Sequence, residues 1–126
     1  MQQGTARYRQ MDLTTASPQL LVAKLFGAAV RHTRRACELS SGGDRAERSR
    51  AISKALSIVD ELRVSLDLER GGEIARNLAS LYDFVRERLI RANARQQAGP
   101  LREALGILDT LEQAWSELCT RSGAGA

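Results

Sequence analysis

A chain of 126 residues with a formal charge of +4 has room for one domain with a real core, and for no more than one. Aromatic residues make up only 4% and the two prolines leave long runs unbroken, which together argue against a sheet and for helices. The composition therefore predicts an all-α fold.

Residues 1–16 are polar and without periodicity, and read as an arm whose lone apolar side chains are Tyr8, Met11 and Leu13. The opening MQQGTARYRQMD lacks the apolar stretch of a secretory signal. No apolar run along the chain approaches the roughly 18 residues that cross a bilayer. The expected location is the cytoplasm, without membrane insertion. Ser17 followed by Pro18 is a helix start: the hydroxyl caps, and proline at the first position has no N–H to lose.

A first helix is predicted over 18–39, with Leu21, Leu25, Ala28, Ala29, His32, Ala36 and Leu39 on one face and Val22 and Phe26 beside them. Ser40, Ser41, Gly42 and Gly43 end it, and Asp44 caps a second helix running to about residue 67. Its stripe is Ile52, Ala55, Leu56, Val59, Leu62 and Leu66. Gly71 and Gly72 then supply a positive φ that ends the second helix, and Glu73 opens a third. The expected stripe there is Ile74, Leu78, Leu81, Val85, Leu89 and Ala92. Gly99 and Pro100 start a fourth helix reaching residue 119, buried through Leu101, Ala104, Leu105, Leu108, Leu111 and Trp115, and 120–126 read as a frayed tail. Four helices of this length with short links favour an antiparallel up-down-up-down four-helix bundle, a single domain whose body is 17–119.

Little of this carries chemistry. His32 is the single histidine and has no carboxylate three residues before it, so the Glu-x-x-His pairing of bundle metal sites is missing. Asp67, Glu69 and Glu73 lack the alternating ligand series of a calcium loop and read as caps and dipole partners. Gly71 and Gly72 lack the strand and lysine of a phosphate loop. No serine has a base to activate it. The expectation is a protein that is not an enzyme, with no catalytic residue, metal or cofactor. Cys37 and Cys119 lie near the C-terminal ends of helices one and four. In such a bundle these ends are at opposite poles, roughly 30 Å apart for 20 residues, beyond the reach of a disulfide.

What remains is surplus apolar surface. Phe84 and Ile90, Ile58 and Val64, and Ile107 and Leu118 fall away from the centres of their stripes at 100° per residue. Together they suggest grooves that take up another chain's amphipathic segment. The candidate partner-binding residues are Ile58, Leu62, Leu66, Leu78, Leu81, Tyr82, Val85, Leu105 and Leu108, with Asn77 and Arg88 as polar anchors and Tyr8 and Leu13 from the arm. The arginines spread along every helix and aromatic platforms for bases are nearly absent, so nucleic acid is not the expected partner. A basic helical regulator that binds nucleic acid or another protein is the alternative, and it predicts a steep salt dependence.

The run Ser65, Leu66, Asp67, Glu69, Gly71, Gly72, Glu73, Ile74, Ala75, Asn77, Leu78, Leu81 and Tyr82 resembles the flagellar secretion chaperone family FliS. Tyr8, Leu13, Thr15, Ala16, Ser17 and Pro18 match its opening pattern. Lys54, Ala55, Ile58, Val59, Glu61 and Leu62 match the second helix, and Leu111, Ala114 and Trp115 the end of the fourth. The family's L-Y-[DE]-G-A appears altered as Leu25, Phe26, Gly27, Ala28 and Ala29, with Gly27 and Ala28 replacing an acid and a glycine, and Glu112 stands where a basic residue is common. The resemblance implies a helical bundle that holds flagellin's disordered C-terminal segment, prevents its polymerisation in the cytoplasm and delivers it to the type III export gate. It leaves the free protein as a monomer or weak homodimer. The N-terminal arm is expected to lie over the client groove or to dock on the gate.

Overall fold

The computed structural model describes residues 18–121, and these form four α-helices: α1 (Pro18–Leu39), α2 (Arg45–Val64), α3 (Leu68–Arg95) and α4 (Gly99–Arg121). Each helix lies beside two others, in the cycle α1, α2, α3, α4 and back to α1, and the diagonal pairs meet only through side chains in the core. Cross-helix partners fix the directions. Arg35 meets Glu47 across α1 and α2, Arg63 meets Asp83 and Arg86 meets Asp60 across α2 and α3, and Arg88 meets Glu103 across α3 and α4. Trp115 Nε1 donates to the Gln19 carbonyl at 2.9 Å and closes the ring from the end of α4 to the start of α1. The architecture is the antiparallel four-helix bundle expected from the sequence.

Local chemistry explains the boundaries. Asp44 accepts hydrogen bonds from the N–H groups of Ala46 (2.7 Å) and Glu47 (3.1 Å), occupying orphan donors at the start of α2. Gly43 lets the chain double back over α1: a Cβ there would sit 2.9 Å from the Leu39 carbonyl oxygen, too close for any side chain. The end of α2 departs from expectation. The helix stops at Val64, with the Ser65 N–H and hydroxyl both donating to the Glu61 carbonyl. Asp67 then caps a new turn by accepting from the Arg70 N–H at 3.0 Å. Gly71 and Gly72 are therefore not the cap of α2. Gly72 (φ 57°, ψ −136°) is a break inside α3, joining its first turn to the long helix in a conformation only glycine adopts readily. Helix α4 continues past residue 119 to Arg121.

The core is built from Phe26, Ala29, Val30 and Ala36 of α1, Ala51, Ile52, Ala55, Val59 and Leu62 of α2, Tyr82, Val85, Leu89 and Ala92 of α3, and Leu101, Ala104 and Leu108 of α4. Each large side chain removed from water contributes about 1.5–3 kcal/mol. On α1 the buried face is rotated from the expected one: Phe26, Val30 and Thr33 point inward, and Leu21, Leu25, Ala28, His32 and Leu39 are half-buried at its flank. The Phe26 ring lies 6.3 Å from both Tyr82 and Trp115, so one aromatic cluster links α1, α3 and α4. Cys37 and Cys119 form no disulfide among the described residues.

One end of the bundle is closed by a residue that periodicity does not reveal. Arg48 is 3% exposed, yet among the described residues no carboxylate bonds to it. Its Nε donates to Ser40 Oγ (2.8 Å), Nη1 to the Ala92 carbonyl (3.3 Å) and Nη2 to the Gln97 carbonyl (2.8 Å). A cation here faces the negative ends of α1 and α3 and occupies carbonyls that have no helical donor.

Candidate functional site: an apolar groove between α3 and α4

The site begins with helix phase. On α3 the side chains that fill the core are Ala75, Ala79, Tyr82, Val85, Leu89 and Ala92, spaced by three and four. Small residues at 75 and 79 let α3 lie close to its neighbours. That choice turns the larger Ile74 and Leu81, expected in the core, toward solvent at 73% and 37% exposure. Phe84, 42% exposed, continues the strip one turn on.

Helix α4 supplies the facing wall. Leu81 and Phe84 from α3 and Arg102, Glu103, Gly106, Ile107, Thr110 and Leu111 from α4 line an open cavity of about 550 Å³. Gly106 lies in its wall, where open space surrounds the position a Cβ would take. Arg88 closes one end. Its guanidinium lies 5.0 Å from the Phe84 ring centroid and bonds Glu103 at 3.1 Å, with Glu87 on its other side. These carboxylates hold the Arg88 guanidinium firmly charged, and Arg88 in turn pulls the Glu87 carboxyl below its ordinary range. In the other direction the apolar surface continues to Ile74, Leu78 and Leu118. From Ile107 to Leu118 the wall runs about 16 Å at 1.5 Å per residue, the length of about three helical turns.

The sequence-predicted residues divide. Leu81 lines the groove and Arg88 closes its end, while Leu78 is half-buried and Asn77 exposed on the same side of α3. Leu62, Tyr82, Val85 and Leu108 are instead interior, at 3% exposure or less, and do not face a groove. Burial pushes the Tyr82 hydroxyl up to about 12, so it stays neutral. Ile58, Leu66 and Leu105 pack half-buried against the core, and α2 and α4 lie diagonally across the bundle rather than side by side. Tyr8 and Leu13 lie outside the described residues. Phe84, Ile107 and Leu111 are absent from the predicted set, although the fall of Phe84 and Ile107 away from their stripe centres already signalled them.

Among the described residues no cluster of His, Cys, Asp and Glu could hold a metal ion. His32 sits beside Lys54 and Arg31, and burial together with these cations lowers its pKa. No helix among the described residues is long and apolar enough to cross a membrane. What the groove can do is bury an apolar helical face.

The family model for the flagellar protein FliS matches residues 1–122. The chain belongs to the FliS family. It is 36% identical over 124 residues to the flagellar secretion chaperone FliS of Salmonella typhimurium, covering 94% of this chain and 92% of the relative. Against the Escherichia coli chaperone of the same name, identity is 32% over 119 residues, covering 90% and 88%. The Bacillus subtilis chaperone is 28% identical over 123 residues, covering 94% and 91%. A solved structure described as a flagellar chaperone from bacteria superposes with a TM-score of 0.76 at 18% identity, over 95% of this chain and 98% of that one, and shows the same fold. Membership makes this chain a flagellar secretion chaperone of the FliS family. Two departures from the family pattern, Gly27 and Glu112, meet in space. A Cβ at Gly27 would lie 3.1 Å from Glu112 Oε2 and 3.5 Å from Arg31 Nη1, so the missing side chain on α1 makes room for the acid on α4.

Proposed function

We propose that this protein binds the disordered C-terminal segment of flagellin along the α3/α4 groove, keeps it from polymerising in the cytoplasm, and assists its delivery to the flagellar type III export apparatus. The observation that carries the reading is the open apolar groove of Leu81, Phe84, Ile107 and Leu111, which the described residues leave unfilled. An amphipathic segment that folds on binding would bury apolar side chains there, with Arg88 and Glu103 marking one end of the register. The chaperone acts by occupancy rather than chemistry, as a monomer or weak homodimer, and the export gate is its second contact.

The test is calorimetric titration with a peptide covering the C-terminal segment of the same organism's flagellin, at two salt concentrations. One-to-one binding with a negative heat-capacity change and weak salt dependence is expected. Absence of binding at micromolar concentration overturns the flagellin reading. A steep salt dependence instead favours a basic regulator.

A further inference from the structure

Helix interiors select against glycine, which loses more backbone freedom on ordering than alanine and adds no side chain to the packing. A glycine kept there answers to something. Most of the described glycines do so visibly, through a positive φ, a neighbour that a Cβ would crowd, or a place at a helix start. Gly106 has none of these reasons. It lies well inside α4, its φ is not positive, it is exposed, and a Cβ on it would meet nothing within 4 Å. Nothing in the described bundle requires a glycine at this position.

Its surroundings supply a use. Two rows of α4 side chains, each spaced by four residues, line the cavity between α3 and α4. Glu103, Ile107 and Leu111 form the row beside α3, where Glu103 meets Arg88. Arg102, Gly106 and Thr110 form the outer row, and all three are exposed. The middle member of that outer row has no side chain, so the apolar strip of Leu81, Phe84, Ile107 and Leu111 continues onto bare α4 backbone. Its neighbours in the row, a guanidinium and a hydroxyl, confine this apolar contact to a single point.

We propose that Gly106 is a specificity-determining contact for the groove-bound client: one large apolar side chain of the client, of leucine or phenylalanine size, rests directly on the α4 backbone there. The inference rests on the α3/α4 groove being the client site. Packed helix axes lie about 8–10 Å apart, according to the side chains between them, and a contact without a Cβ admits the closest approach. Position 106 therefore reads the size and depth of the client side chain. An alanine there lifts the client away from the four apolar side chains of the groove, and a longer residue fills the seat itself. The cost of a glycine inside α4 is borne by the free chaperone and recovered when the client docks.

The experiment titrates the full chain with a peptide covering the C-terminal segment of the same organism's flagellin. Gly106→Ala and Gly106→Leu are compared with Gly99→Ala, whose Cβ also meets open space but which lies outside the cavity. Both variants at 106 are expected to melt at or above the wild-type temperature, since alanine and leucine favour a helix interior and have room. Affinity is expected to fall about threefold for Gly106→Ala and more than about tenfold for Gly106→Leu, and to stay unchanged for Gly99→Ala. On the client side, replacing the large apolar peptide residues by alanine one at a time locates the seated one. Its loss weakens binding to the wild type and adds little to the loss already present in Gly106→Leu. Undiminished binding by Gly106→Leu, while Leu81→Ser with Phe84→Ser weakens the peptide, overturns this contact and leaves the groove standing. Destabilisation by Gly106→Ala, an equal loss in Gly99→Ala, or additive losses at every peptide position overturn it as well. No binding to the wild type, or none lost in Leu81→Ser with Phe84→Ser, overturns the groove as the client site and this contact with it.

Discussion

The two ends of the bundle are built on opposite terms. Where α1 and α3 finish and α2 and α4 begin, Arg48 reaches across and ties Ser40, Ala92 and Gln97 into one buried knot. No large apolar side chain is exposed among the linking residues 40–44 and 96–98. At the other end, where α1 and α3 begin and α2 and α4 finish, Leu20, Val64, Leu68, Ile74 and Leu118 are all exposed, from 43% to 73%. One end closes by giving the Ala92 and Gln97 carbonyls a buried donor. The other keeps an apolar surface that runs into the α3/α4 groove. A buried cation gives rigidity because its geometry is fixed by several acceptors, whereas exposed apolar side chains cost little until a partner covers them. The sealed end ties three helix termini together, whereas the open end and groove leave apolar side chains exposed among the described residues.

This contrast can be broken in order of expected effect. Leu108→Ala empties a fully buried site that both ends depend on, and is expected to cost about 3 kcal/mol in urea denaturation. A loss below about 1 kcal/mol would mean the interior collapses around the gap. Arg48→Ala should cost about 2 kcal/mol by stripping the donors from the Ala92 and Gln97 carbonyls. Arg48→Lys should recover only part of this, since an ammonium cannot span three acceptors as a guanidinium does. Equal stability of all three proteins would remove the seal from the account. Gly72→Ala tests the open end. Space is available for the methyl group, so the expected loss of about 1–2 kcal/mol is purely the cost of a left-handed φ. Smallest in stability is Leu81→Ser with Phe84→Ser, expected within about 0.5 kcal/mol of wild type because both side chains are already partly in water. The same pair should weaken the flagellin peptide by more than about tenfold, as loss of two anchors in an apolar groove requires. Unchanged affinity with unchanged stability would move the client elsewhere.

Where the structure followed the sequence and where it did not has a consistent cause. The caps were legible: Asp44 before α2 and Pro100 in the first turn of α4 act through their own backbone and nearest neighbours. Gly71 and Gly72 were legible as a special backbone site but were assigned to the wrong helix, because an αR residue such as Ser65 can also end a helix with its own hydroxyl. On α3 two stripes fit the same spacing, one through Ile74, Leu78 and Leu81 and one through Ala75, Ala79 and Tyr82. Hydrophobicity favours the first. The packed bundle buries the second, with Ala75 and Ala79 inside and Ile74 in water.

Amino-acid order by itself determined the helices, their number, the polar stops between them and the FliS family, since each is a matter of short-range spacing or of a motif read residue by residue. Tertiary structure decided the inward face where periodicity misled: the stripes of α2 and α4 kept the expected Ile52, Ala55, Val59, Leu101 and Ala104, while α1 turned Phe26 and Val30 inward and the start of α3 turned Ala75 and Ala79. It placed Leu62, Tyr82, Val85 and Leu108 inside and opened Leu81 and Phe84 to a groove. It also turned Arg48, to the eye one surface arginine among many, into a buried clamp between residues 44 and 49 positions apart. Periodicity gives the direction of a side chain around its own axis to within a broad arc. Which part of that arc meets a neighbour depends on how closely, and at what rotation, the other three helices approach.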